Sequence, residues 1–185
     1  MKKLVLFAAS IMFFFPSSPM EAQESDKSDL MKARKIAGEI TELRSVRAAS
    51  LLESGDAVTP DVFKQVCGPV KKKAMEIAQR EGVRIRHAAV KNRNPDHAAS
   101  DEEKEFHRIF EKGLEKELWN ETVIDGRKYS RYVSPVYVEP ACLACHGEKD
   151  SRPAFVREKY PQDKAFGFDA GDLRGVIEVM MAQEK

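Results

Sequence analysis

The chain has almost no net charge, +1 over 185 residues, and beyond residue 22 acidic and basic side chains are equal in number. That balance removes the broad positive field with which a protein gathers nucleic acid, so no nucleic-acid partner is expected. Charges are interspersed, and a run such as Lys71-Lys72-Lys73 reads as a solvated helix face. After residue 15 no apolar stretch approaches the roughly 20 residues that a spanning helix needs, which argues against stable membrane insertion of the mature chain. Internal repeats and low-complexity segments are absent, and the length suits one domain with its own core. Cysteine is scarce, three in all, and none follows the N-terminal apolar run closely enough to carry a lipoprotein anchor.

What the N-terminus does have is the pattern of an export signal. Lys2 and Lys3 precede an apolar core over residues 4–15, broken only by Ser10, and Pro16-Ser17-Ser18 leads toward small Ala22. The run is too short for an uncleaved anchor. Residues 1–22 are therefore expected to be a signal peptide, residues 23–185 the mature domain, and the compartment the periplasm.

Two of the cysteines fall in Cys142-Leu143-Ala144-Cys145-His146. C-x-x-C-H is the spacing that attaches haem c: two thiols add to the two vinyl groups of one porphyrin, and the following imidazole lies beneath the iron. One covalent haem is expected, held through Cys142 and Cys145 with His146 as proximal ligand. Half a zinc site would need two further ligands, and a thioredoxin-like pair a βαβ setting; neither context is present. Haem c is attached outside the bacterial cytoplasm, so the export signal and the motif agree.

Around the motif the periodicities alternate between helix and strand. Leu30, Ala33, Ala37, Ile40 and Leu43 recur at helical spacing from Ser25 to about Ser54-Gly55. Thr59 as N-cap and Pro60 at the first position open a second helix, with Phe63, Val66, Val70, Ala74 and Ile77 on one face before Gly82. Val83, Ile85, His87 and Ala89 alternate as a strand, and Ser100 with Glu103 forms a capping box for a helix ending near Gly113. Asp125-Gly126 marks the turn of a hairpin between strands near 118–124 and 127–138, with Pro135 at a bulge or an edge. A short helix after Pro153 and a last strand over 176–181 complete an α+β chain.

Cys67, the odd thiol, asks for its own explanation. It lies on the apolar face of the second helix, so a small core residue, an intermolecular disulfide and a distal haem ligand all remain open. Gly68-Pro69 is expected to interrupt that helix and start a new one, leaving Cys67 just outside an N-terminus that favours a thiolate. Other distal candidates have duller roles: His97 and His107 as solvated side chains, His87 as a hydrogen-bonded core histidine, Met75 as helix core. Arg86, Arg93 and Arg131 are candidates to neutralise the haem propionates.

The chain resembles the mono-haem c-type domains with a PAS-like fold, long described as a domain of unknown function. The likeness rests on Val66-Cys67, Ile85-Arg86 leading into Arg93-Asn94-Pro95, Arg131-Tyr132 with Pro135, Cys142-Leu143-Ala144-Cys145-His146-Gly147, and Tyr160-Pro161, Asp163, Ala165, Gly167, Gly171 and Gly175. It implies a sheet of about five antiparallel strands flanked by helices, and haem ligation by the cysteine at position 67. It also implies redox or ligand sensing, or electron transfer, with a separate redox or signalling protein as partner, since the chain carries no kinase, cyclase or methyl-accepting segment. A haem enzyme of peroxidase type, with an open iron face, is the alternative.

Overall fold

The computed structural model describes the backbone of residues 19–54 and 58–183, and side chains within those spans from Gln23 onward except residues 52–54 and Cys67. The expected signal peptide lies outside the described residues apart from positions 19–22, which open the first helix.

Helix α1 (Pro19–Ser54) and helix α2 (Pro60–Glu81) pack together through Ala33, Ile36, Ala37 and Ile40 on one side and Val70, Ala74 and Ile77 on the other. Small side chains on α1 let the helices approach closely, and complete burial of Ile40 and Ile77 contributes about 1.5–3 kcal/mol each. Thr59 caps α2, its Oγ1 accepting from Val62 N at 3.2 Å, and Gly82 ends it at φ 65°. The expected break at Gly68-Pro69 does not occur. α2 runs through Pro69, because core contacts of Val70, Ala74 and Ile77 on the C-terminal side outweigh the lost N–H and the steric cost of the ring. Cys67 is therefore inside a continuous helix, and the argument for a thiolate at a new N-terminus lapses. Met75, expected in the core, is turned outward and 62 % exposed, since the buried stripe passes through 74 and 77.

Among the described residues the sheet has four antiparallel strands, not five: β1 (Arg84–Ala88), β2 (Leu118–Ile124), β3 (Arg127–Tyr137) and β4 (Leu173–Ala182), in the order β1-β4-β3-β2. The segment from Ala89 to Ala98 makes only an isolated bridge between those two residues, with a 3-10 turn at Pro95–His97. β2 and β3 are joined at Asp125-Gly126, where both residues take positive φ, 52° and 75°. Pro135 pairs with Val176 alone, beyond the last β2 partner at Val133, so its missing N–H breaks no central ladder. One face of the sheet, with Tyr132, Val136, Ile177 and Val179, packs on α1 and α2. The other, with Ala88, Val133 and Val176, is covered by Phe106 and Phe110 of helix α3 (Asp101–Glu111), whose N-terminus carries the expected capping box.

The chain leaves β3 through a 3-10 turn at Pro140–Cys142 into helix α4 (Leu143–His146), then helix α5 (Ala154–Lys159), before returning as β4. Val138, Ala165 and Phe168 form a separate apolar cluster here, with Cys142 and Leu143 against it.

Candidate haem-binding site

A single helical turn presents the C-x-x-C-H side chains. Cys142 N bonds to Glu139 O at 2.8 Å and Gly147 N to Leu143 O at 2.9 Å, so positions 142, 145 and 146 share one side of a short helix. Both cysteines are half-buried. Opposite them, the segment 163–168 clasps the end of α4: Gly167 N donates to Gly147 O at 2.7 Å and Phe168 N to His146 O at 3.2 Å. The imidazole of His146 meets the Ala165 carbonyl at 2.8 Å through Nδ1, and the Phe168 ring stands edge-on to it at 6.2 Å. Arg93 Nη2, which only donates, lies 3.5 Å from the same Nδ1, but the carbonyl, which only accepts, is far closer, so Nδ1 carries the proton and Nε2 keeps its lone pair. Burial, with Arg174 and Arg93 close by, holds the basicity of His146 well below the ordinary histidine range.

The clasp is itself tied to a buried carboxylate. Asp163, its side chain 1 % exposed, takes Arg152 Nη1 at 2.7 Å and Arg93 Nε at 3.2 Å on Oδ2, and Ala165 N at 2.8 Å on Oδ1. Arg93 also donates from Nη2 to Cys145 O at 2.6 Å. One guanidinium thus joins the loop after β1, the motif and the clasp.

Further cations gather at the same end of the sheet. Arg174 reaches Lys91 O at 3.1 Å and lies 5.5 Å from the centre of the Phe168 ring. Arg44 of α1 stands near enough to His87, His146 and Arg174 to disfavour a proton on each. His87 has Nε2 buried with no partner among the described residues, and burial, then Arg44 and His97, bring its pKa down to about 3.

Over residues 22–182 the chain matches the family described as Tll0287-like. The chain belongs to the Tll0287-like family. A solved structure titled as that of the cyanobacterial heme-protein Tll0287 is 34 % identical to it, with a TM-score of 0.68 over 91 % of this chain and 99 % of that one. No curated protein matches it.

The remaining residues singled out in this Tll0287-like chain divide into two groups. Arg93 stands at His146, but Arg86 and Arg131, expected beside it at propionates, are spent on carboxylates beneath α3. Arg86 is paired with Glu103 and donates to Asp96 O and Ala98 O, while Arg131 is paired with Glu102 and lies 3.5 Å from Glu178. The pleat decides this: Arg86 faces Glu178 across the β1–β4 ladder, on the α3 side of the sheet. His107, expected in solvent, is 3 % exposed and bonded to the Ala88 carbonyl, because 103, 106, 107 and 110 form one buried stripe. His97 is exposed as expected. The side chain of Cys67 lies outside the described residues. Position 67 is one turn after Phe63, whose ring meets Phe155 of α5 at 5.6 Å.

Sequence reasoning overlooked Arg44 and Arg174. Arg44 interrupts the stripe of Ala37, Ile40, Ala48 and Leu51, all buried, and a charge at that spacing is a visible signal.

The donor set fits haem c. Two half-buried thiols and an imidazole with an unprotonated Nε2 lie on one helical turn, beside the Arg174 guanidinium and an orphaned buried nitrogen at His87.

Proposed function

We propose that this chain is an exported, periplasmic c-type protein with one covalent haem and a PAS-like fold, serving redox sensing or electron transfer with a separate protein partner. Cys142 and Cys145 attach the porphyrin, His146 is the proximal ligand and Cys67 the distal one. The observation that carries the reading is the orientation of His146, with Nδ1 committed to Ala165 O and Nε2 left for a metal, one turn from the two thiols. Similarity to a haem protein over nearly the whole chain supports it.

Each protein group has a definable part. The Ala165 carbonyl fixes the ring and strengthens Nε2 as a donor, as a hydrogen bond to the far nitrogen of a ligating histidine does. Arg93 holds the Cys145 peptide against the clasp, and Asp163 holds Arg93. Val138, Ala165 and Phe168 keep water from the side of α4 on which Cys142 packs. Haem would supply one-electron chemistry, and Cys67, if it held the iron as a thiolate, would favour the ferric state and a low potential.

The test is the low-temperature electron paramagnetic resonance spectrum of the ferric holoprotein beside Cys67→Ser, with haem staining of the denatured chain. A stained band and a low-spin thiolate signal lost in the variant support the assignment. An unstained chain rejects covalent haem, and a signal indifferent to position 67 rejects the distal ligand.

A further inference from the structure

The ladder between β3 and β4 is irregular at one place. Val136 pairs with Gly175 and the next residue, Tyr137, with Leu173, so Arg174 is an extra residue facing no β3 partner. Its neighbour Gly175 is pressed against β1: a Cβ there would come within 2.6 Å of Ala88 O. A bulge of this kind re-aims one side chain, and here it sends a guanidinium against Phe168, the ring that meets His146 edge-on. Lys91 Nζ lies 4.5 Å from the centre of the same ring.

We propose that Arg174 and His87 are the carboxylate-binding residues of the haem site, Arg174 pairing with a propionate and His87 donating from Nε2 to the same acidic edge. The proposal rests on the haem reading above. His87 lies on β1, which pairs with β4, and its buried Nε2 lacks any described partner. A buried polar atom without a partner costs about 1–3 kcal/mol unless a ligand satisfies it. Arg174 is pushed down to about 10 by burial and by Arg93 and Arg44, so cations here crowd one another and an anion would relieve them. Asp163, the acid that opposes this, is already held by Arg93 and Arg152. A planar fork of donors suits a carboxylate. The bulge thus has a purpose that Arg86 and Arg131, paired beneath α3, cannot serve.

The experiment is spectroelectrochemical titration of the exported holoprotein and its variants, with resonance Raman spectra of the propionate bending bands. A positive charge beside the haem favours ferrous iron, so Arg174→Gln is expected to lower the midpoint potential by about 59 mV, a tenfold change in the one-electron equilibrium. Arg174→Lys restores most of it, and His87→Phe shifts the Raman bands with a smaller drop. Arg127→Gln, at the β2–β3 turn, changes neither. Unchanged potential in haem-loaded Arg174→Gln overturns the proposal; should that variant not fold, unshifted propionate bands in both Arg174→Lys and His87→Phe overturn it. Wild-type protein that takes up no haem would instead count against the haem reading itself.

Discussion

His146 donates from Nδ1 to the carbonyl of Ala165 over 2.8 Å, and the N–H of Ala165 is held in turn by Asp163 Oδ1 over 2.8 Å. One residue therefore connects the imidazole to a buried carboxylate that also anchors Arg93 and Arg152. The tautomer of His146 is set by main chain, and the main chain by a charge.

Asp163→Ala is expected to cost about 3–5 kcal/mol, since it leaves two largely buried arginines without their acid. Urea denaturation measures the loss. The ferric resonance should also broaden, because Ala165 N, in the clasp that orients His146, loses its acceptor Asp163 Oδ1. A loss below about 1 kcal/mol would mean that Arg93 and Arg152 find other partners.

The carboxyls beneath α3 make stability depend on pH in both directions. Burial, then Glu103, raises Glu178 from 4.5 to about 8. Glu103 falls to about 2, burial being outweighed by hydrogen bonds from Arg86, Glu178 and the Ser100 N–H. Arg131, Glu102 and His107 also stand beside this pair. Between 4.5 and about 8 the folded chain keeps a proton at Glu178 that the unfolded chain releases, so the contribution of this group to stability falls as pH rises through that window. Below 4.5, stability falls as pH drops toward 2, where folded Glu103 is finally protonated. Glu178→Gln should flatten the alkaline arm. Equal slopes for wild type and variant in urea titrations between pH 5 and 8 would refute it.

Local chemistry made much of this fold readable, and long-range pairing made the rest unreadable. Thr59 and Gly82, Ser100 and Glu103, and Asp125-Gly126 act within a few residues of themselves, and each stands where its chemistry places it. The short helix of the motif is equally local. Gly68-Pro69 reads as a break because the core contacts that carry α2 through it come from α1. The fate of Arg174 depends on a bulge that appears only when β4 meets β3, and that of Arg86 and Arg131 on which face of the sheet α3 covers. His107 and Arg44, by contrast, sit at helical spacing from buried residues and were legible in principle.

Gly175→Ala should loosen β1 from β4. The added methyl meets Ala88 O at 2.6 Å and Ala89 Cβ at 3.4 Å, and backbone on both sides has little room to give. Overpacking of this kind costs about 1–3 kcal/mol. Hydrogen exchange should rise in β1 while the β2–β3 ladder keeps its protection. Uniform protection across the sheet would show that the bulge absorbs the methyl.

Gly68→Ala should act in the opposite sense. Gly68 is inside α2 and a Cβ there meets nothing within 4 Å, so alanine adds no clash. It removes backbone freedom from the unfolded chain and is expected to raise stability by about 0.5–1 kcal/mol, read as a higher Tm by circular dichroism. Pro69 supplies no N–H to the ladder, so the turn before it is the least secured part of α2, next to position 67. Stiffening it should leave the ferric resonance unchanged if the continuous helix already presents Cys67 to the iron. A Tm gain accompanied by loss of the low-spin thiolate signal would show that ligation requires α2 to open at Gly68-Pro69.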